Sequence, residues 1–336
     1  MATAQLGPPN ITKALLPQLL SASSALRLDS RLPNTPLEPE VSFSSTQRGT
    51  VTLHLSSPNS RRTRTTVQCA LHADLVEPRD DRPYEGQISI HINPNIALTT
   101  SGASRSSASS DALVADLERQ TDLALRRSGL IDREALCLKA GKLVWNLAIH
   151  IHLHTMQAGN ALSACVLAVS LALADFRRND AAVEQGGRVI VYDERERVTV
   201  PLPITGGLVA VEVAVFNSVL APVIPSATAT GGQDTKTDDD IGGPSKSASP
   251  SSRNVEPVLL IDPSPLEVQL SSALLTYVLT PNTGQFLLSE KIGRAPLEVS
   301  VMSRAMKLAV QRAKTIGKWL ERQKGKRDEV MGKDIQ

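Results

Sequence analysis

The chain has 336 residues, 41% of them hydrophobic, which is enough to bury a core over one large or two modest domains. Only 3% are aromatic, which argues against a single-strand nucleic-acid binder built on stacked rings. The formal net charge of +2 excludes a histone-like protein but leaves room for a local basic patch. The three cysteines are widely spaced and indicate a reducing compartment rather than a disulfide scaffold or a Cys-x-x-Cys metal site.

Three segments stand apart by composition. Met1–Leu26 has no acidic residue; we interpret it as a short docking helix or a frayed terminus, with an organellar transit peptide as the alternative. Ser101–Ser110 and Ser226–Pro257 are rich in small and polar residues, and we predict the second to be a disordered insertion within a domain. The longest apolar run, Ala161–Ala174, spans about 14 residues, too few to cross a bilayer, so we expect no membrane contact.

The first half of the chain alternates strand and helix patterns. Val67–Glu77 and Gly86–Ile96 are predicted to pair as neighbouring strands. The second of them has one face made of Ile88, Ile90 and Ile92. Asp111 is predicted to N-cap a helix. The helical spacing of that element is carried by Leu113, Leu117 and Ala124.

The clearest strand follows this helix. Its core-facing residues are Trp145, Leu147, Ile149, Ile151 and Leu153. Its opposite face includes His150, His152 and His154. A turn at Ala158–Asn160 then leads into an apolar helix, Ala161–Asp175, which we expect to be buried.

The second half contains strands separated by the long insertion, and then one long helix. The predicted strands are Arg188–Tyr192, Gly207–Phe216 and Val258–Asp262, followed by a hairpin of Leu274–Thr280 and Gln285–Ser289. The final helix has an apolar stripe of Met302, Met306, Ala309, Ala313, Ile316 and Leu320. Strands clustered in hairpins with a few helices predict an α+β fold of mixed sheets with packed helices.

Few residues suggest catalytic chemistry. His150, His152 and His154 share a face at a spacing that can converge on zinc, but no carboxylate or cysteine lies near them in sequence. A solvated or interface-facing strand is the favoured interpretation, and we predict no metal and no cofactor. Nucleophile-elbow, phosphate-loop and dinucleotide motifs do not occur. The mixed charges of 193–197 are typical of a solvated turn.

Basic residues are the more suggestive feature. Arg61, Arg62 and Arg64 lie at a predicted hairpin tip, and Arg177 and Arg178 end the apolar helix. The final helix and tail add Lys307, Arg312, Lys314, Lys318, Arg322, Lys324, Lys326 and Arg327. RNA phosphate contact and plain solvation explain each cluster equally well.

The order of these elements resembles the ribonuclease PH fold, most closely that of the ribonuclease PH-like ring subunits of the eukaryotic RNA exosome. Four stretches resemble the family: Arg27–Arg31, with Ser30 where the family has Gly, Leu136–Trp145, Gly159–Ala164 and Asp175–Asp180. The last is similar to the Phe-Arg-Arg-Pro-Asp of one ring subunit. The resemblance divides the chain into an extension (1–25), a first half (26–183), a second half (184–324, with the insertion 226–257) and a basic tail (325–336).

The departures from the family imply lost catalysis. Active members cleave RNA with phosphate and use an arginine and acidic residues; the matching positions here are Leu162, Leu260 and Leu266. Asp262 and Glu267 lie close by, so a small shift of alignment restores a carboxylate but no arginine. We therefore predict no enzyme activity.

The resemblance implies a structural and RNA-path subunit that supports 3′-to-5′ RNA processing and decay by a separate nuclease. The implied partners are other ring subunits, cap subunits of the S1/KH type, the nuclease and RNA, in the nucleus, nucleolus and cytoplasm. An active phosphate-dependent exoribonuclease and an independent RNA-binding module remain the alternatives.

Overall fold

The structure is a computed structural model that describes residue 27 and residues 29–94, 107–184, 188–216 and 257–333. The predicted extension 1–25, residues 101–106 of the predicted serine-rich loop and nearly all of the predicted insertion lie outside these residues. Within the described part, no helix is both long and apolar enough to span a membrane.

The first half is a six-stranded sheet. Its strands are β1 (Glu38–Phe43), β2 (Thr50–Ser57), β3 (Ser60–Val76), β4 (Gln87–Pro94), β5 (Cys137–Lys139) and β6 (Leu143–Met156). The strand order is β1-β2-β3-β6-β4, and β5 pairs with β6. The alternation predicted for β6 is confirmed: its core-facing residues Trp145 to Leu153 are buried, whereas the three histidines on its other face are partly exposed.

The predicted pairing of Val67–Glu77 with Gly86–Ile96 is wrong. These segments form β3 and β4, but β6 lies between them, antiparallel to β3 and parallel to β4. A parallel pair needs a crossover connection, and helix α1 (Ser107–Ser128) lies within it. The helix begins four residues before Asp111, which therefore is not its N-cap. Leu117 and Ala124 are buried, as predicted.

The second sheet has the order β12-β11-β13-β14. Its strands are β11 (Val209–Phe216), β12 (Val258–Ile261), β13 (Ala273–Leu279) and β14 (Phe286–Ile292). The predicted hairpin of β13 and β14 is confirmed. Two small ribbons lie outside the sheets: β7 (Arg177–Arg178) with β10 (Val200–Pro201), and β8 (Ala181–Val183) with β9 (Val189–Val191).

Helix α2 (Ala161–Asp175) lies at the centre, in contact with β2 and β3 of the first sheet and β11 of the second. Every residue of α2 from Ala161 to Leu173 is buried, because the helix has sheet on two sides. This explains its lack of a polar face and confirms the prediction of a buried core helix.

The remaining helices are α3 (Pro265–Leu270), which follows β12, and α4 (Val299–Lys333), which packs on β11 and β13. The apolar face predicted for α4 is wrong in its first two turns. Val301 and Ala305 are buried there, whereas Met302 and Met306 are more than a third exposed. The helix continues to Lys333, through most of the segment predicted as a basic tail.

Candidate functional site

The candidate site lies where α2 begins and meets the turn between β12 and α3. Gly159 has a φ of +80°, and a Cβ at this position would lie 2.8 Å from the carbonyl oxygen of Pro263. The Thr65 hydroxyl donates to the Gly159 carbonyl at 2.7 Å. The Asn160 amide donates to the Pro263 carbonyl at 3.3 Å. These contacts fix the backbone at the start of α2 against the turn that follows β12. They end on carbonyl oxygens, and the Asn160 side chain does not cap the first N–H groups of the helix.

The three leucines identified by sequence do not converge. Leu162 is buried in the main core on α2. Leu260 lies opposite Ala214 and is buried in a second cluster with Phe216. Leu266 is 53% exposed on α3. None of these side chains supplies a charge or a transferable proton.

Asp262 is buried, and both its carboxylate and its backbone carbonyl accept hydrogen bonds from neighbouring residues. Its Oδ2 accepts from the Leu37 backbone N–H at 3.0 Å and lies 3.1 Å from Nη2 of Arg312. Its backbone carbonyl accepts from Arg27 at 2.9 Å and from Arg31 at 3.0 Å. The residue adopts a φ of +50°, in the left-handed region. The carboxylate is thus part of the structural framework.

Glu267 is fully buried and faces Arg27. The Arg27 Nε donates to Oε1 at 2.9 Å, and Nη2 donates to Oε2. The same carboxylate accepts from the Ser264 backbone N–H at 2.7 Å and completes a capping box at the start of α3. A small shift in the alignment with the family would place Glu267 at an acidic position. Both oxygens of its carboxylate, however, already accept hydrogen bonds from Arg27 and Ser264.

Burial beside Arg27 also affects Arg31. Removal from water, followed by the charge of Arg27, lowers the pKa of Arg31, and Asp29 opposes the shift through its charge and a hydrogen bond. Arg31 also donates to the Thr35 carbonyl at 3.3 Å. The two arginines of the Arg27–Arg31 segment are therefore occupied by protein acceptors.

Sequence reasoning missed Glu212, a buried carboxyl on β11. Burial, with the nearby charge of Asp262, raises its pKa to about 8. Burial also raises the pKa of the neighbouring Cys165 thiol, so that this cysteine is not a thiolate nucleophile at neutral pH. A lone acid within the Val- and Ala-rich run of β11 was the signal available in the sequence.

The arginines of the hairpin tip lie beside this site. Arg61, Arg62 and Arg64 belong to β3 just after its turn, and the exposed Arg64 pairs with Ser56. The turn is fixed to the Arg27–Arg31 segment because the Asn59 amide donates to the Ser30 carbonyl at 2.9 Å. Burial, and to a smaller extent the charge of Arg64, lowers the pKa of His54 on the adjacent strand.

The second predicted cluster lies at the other end of the sheet. The Arg178 guanidinium lies 5.6 Å from the centroid of the Trp145 ring, and burial lowers its pKa. Trp145 pairs with Leu75, eleven residues from Arg64 along β3, which corresponds to about 36 Å of extended strand. Arg177 pairs with Pro201. The two arginine clusters therefore do not form one site.

The histidines lie on the outer face of the first sheet. The His154 ring contacts the Gln68 amide oxygen at 3.2 Å, and the rings of His91 and His150 stack with centroids 5.7 Å apart. Across the ranges that the structure describes, no three His, Cys, Asp or Glu side chains form a group that could hold a metal ion.

Comparison with known proteins identifies the first half. Residues 36–179 match the sequence model of the 3′ exoribonuclease family, domain 1. This segment, less than half of the chain, is similar to a ribonuclease PH domain, and we refer to it by that name. The match covers the first sheet and α2 and ends within the Asp175–Asp180 stretch, which the sequence analysis singled out.

Curated relatives of the ribonuclease PH domain carry the name of one exosome component. The chain is 35% identical over 153 residues to exosome complex component RRP45 of Danio rerio, which is 46% of this chain and 38% of that protein. The human RRP45 is 35% identical over 154 residues, 46% and 34% of the two chains. The Schizosaccharomyces pombe protein is 33% identical over 156 residues, 46% and 51%. The matches thus span only about a third to a half of the relatives.

Solved structures extend the fold beyond the ribonuclease PH domain. The Archaeoglobus fulgidus exosome with RNA bound to the active site matches with a TM-score of 0.64 at 17% identity, over 92% of this chain and 97% of that one. An archaeal exosome core matches with a TM-score of 0.60 at 17% identity, over 93% and 97%. The ribonuclease PH-like fold predicted from the sequence is confirmed.

Proposed function

We propose that the chain is a non-catalytic subunit of the RNA exosome core ring, which holds its neighbours together and guides RNA to a separate nuclease. The proposal is supported by the relatives, which are named exosome complex component RRP45. It is also supported by the fold, which resembles that of archaeal exosome chains.

The proposal that the chain is not catalytic rests on one observation: the carboxylates of Asp262 and Glu267 are buried and already paired with arginines. Phosphate-dependent cleavage of RNA needs a cation for phosphate and a carboxylate that is free to bind metal or move a proton. Asp262 and Glu267 are buried and bonded to Arg312 and Arg27. The side chain at the start of α2 is Leu162. The site therefore offers neither group to a substrate.

The partners we propose are other ribonuclease PH-like ring subunits, S1/KH-type cap subunits, the nuclease subunit and RNA, in the nucleus, nucleolus and cytoplasm. Among the described strands, β1 and β4 are the edges of the first sheet, and β12 and β14 are those of the second. Unpaired edges are surfaces through which sheet proteins associate. We further propose that Arg61, Arg62 and Arg64 contact RNA phosphates, with Arg177 and Arg178 as a second, separate candidate cluster.

The experiment combines two measurements on the tagged full chain. Affinity purification from cells should recover other ring subunits, and a purified chain that is monomeric and recovers none would contradict the proposal. Incubation with poly(A), Mg²⁺ and phosphate should release no nucleoside diphosphate. Release would support the alternative, an active exoribonuclease.

A further inference from the structure

The C-terminal helix α4 has an unusual charge distribution. Between Val299 and Arg327 it carries nine Lys and Arg residues and one carboxylate, Glu321. This segment has a net charge of +8, against +2 for the whole chain, so the rest of the chain is net acidic. The basic charge of the protein is therefore concentrated on one element.

The structure separates these cations into two groups. Arg312 and Arg327 are directed into the fold, where they pair with Asp262 at 3.1 Å and Asp175 at 2.9 Å. Lys324 donates to the Gly206 carbonyl at 3.2 Å and lies 3.7 Å from the Glu321 carboxylate. Arg304 also has an interaction partner. The exposed cations that have no ion pair within the described ranges form what we call the basic stripe: Lys307, Lys314, Lys318, Arg322 and Lys326.

The basic stripe is continuous along one side of the helix. At 3.6 residues per turn, its five members fall within about 120° of the circumference and extend over about 28 Å. The other side of the helix is packed against the core. It is formed by Ala305, Ala309, Ala313, Ile316 and Leu320.

A row of like charges is unfavourable without a ligand. Lys314, Lys318, Arg322 and Lys326 follow one another at intervals of four residues, and like charges at this spacing repel. Solvated helix faces usually mix both signs. At its N-terminal end, the stripe borders an open groove of about 470 Å³ with a mixed lining of apolar residues, among them Pro33, Val258 and Leu308, and polar residues, among them Asn34, Lys307 and Gln311. The row of like charges, rather than the groove, fits an extended polyanion.

We propose that the basic stripe binds the sugar-phosphate backbone of RNA, independently of base sequence. The choice of RNA rests on the proposed function. Lysines act as point charges on phosphate and read no bases. A membrane fits less well, because the exposed large apolar side chains of α4, Val299, Met302 and Met306, all precede the basic stripe, whereas Ile316 and Leu320 alongside it are packed in the core.

The test measures binding of the full chain to fluorescein-labelled U20 RNA at several salt concentrations. The test variant is K307Q/K314Q/K318Q/R322Q/K326Q. One control keeps the charge (K307R/K314R/K318R/K326R). A second control removes five exposed cations elsewhere, with the substitutions R79Q, K142Q, R195Q, K291Q and R294Q.

For the test variant, the slope of log affinity against log salt should fall by about 0.7 for each phosphate that is no longer bound, or about 2 to 3.5 for three to five phosphates. The charge-retaining control should keep the slope, and the second control should change it less. An equal change in the test variant and the second control would overturn the proposal. So would stripe-dependent binding to polyglutamate or phosphatidylserine vesicles but not to RNA.

Failure of this proposal and failure of the proposed function give different results. If the wild-type chain recovers ring subunits but the test variant binds RNA normally, only the basic stripe is refuted. If the chain recovers no ring subunits but binds RNA through the stripe, the ring function is refuted and the stripe stands.

Discussion

Arg27 and Glu267 lie 240 residues apart in the sequence, and their fully buried side chains form a two-pronged ion pair. This pair joins the segment before the first sheet to the turn that follows β12. We propose that, together with the Arg312–Asp262 pair, it occupies the place where a phosphate-dependent ribonuclease would need free charged groups.

Removing one partner of this pair should destabilise the fold. Arg27→Met leaves the carboxylate of Glu267 buried without a counter-charge, which should cost about 3–5 kcal/mol in the free energy of unfolding. The double variant R27M/E267L should recover part of that loss, because it no longer leaves the Glu267 carboxylate buried without a counter-charge. Urea titration of the two variants, with the exposed Arg64→Ala as control, measures this. Equal stabilities of R27M and wild type would contradict the role given to the pair.

Glu212 should make stability depend on pH. Its pKa is raised from 4.5 to about 8 in the fold, so the folded state holds a proton that the unfolded state releases. Stability should therefore fall as pH rises from about 4.5 to about 8. Glu212→Gln should flatten this part of the profile and be more stable than wild type at pH 8. The same substitution at the exposed Glu194 should leave the profile as it is. Thermal unfolding across pH 5–8 provides the measurement.

Substituting two glycines by alanine should distinguish the cost of a strained backbone from the cost of a steric clash. Gly159 and Gly141 both have a positive φ, +80° and +68°, but only a Cβ at Gly159 would meet another atom within 4 Å. Gly141→Ala should cost about 1 kcal/mol for the left-handed backbone. Gly159→Ala should cost clearly more, since the Pro263 carbonyl must also move. Chemical denaturation of the two variants tests the difference, and equal costs would show that the backbone at Pro263 is not rigid.

The hairpin-tip arginines should contribute to RNA binding by the assembled ring. Neutralising Arg61, Arg62 and Arg64 together should reduce the salt slope for single-stranded RNA by about 0.7 for each phosphate that these arginines bind. Base preference should stay the same, because phosphate contacts do not read sequence. Lys142→Gln, an exposed cation at the far end of the sheet, serves as a control. An unchanged slope would show that the tip is only solvated.

Local patterns predicted much of this fold. The alternation in β6 and the apolar length of α2 follow from residues next to one another, and the structure confirms both. The position of β6 between β3 and β4 depended on partners distant in sequence, which periodicity does not contain. The same limit applies to the site. Asp262 was noticed as an acid near the expected position, but its pairing with Arg312 was invisible because fifty residues separate them.

The Arg27–Glu267 pair also has a consequence for the order of events during synthesis. At about 5–20 residues per second, Glu267 leaves the ribosome roughly 12–48 s after Arg27. The first sheet is complete only once Met156 has been made, and for about 6–22 s after that the segment that carries Arg27 and Arg31 has no acceptors from β12 and α3. The nascent ribonuclease PH domain must therefore keep two arginines hydrated at the place they will later occupy in the core, and its final packing begins only when the second half emerges.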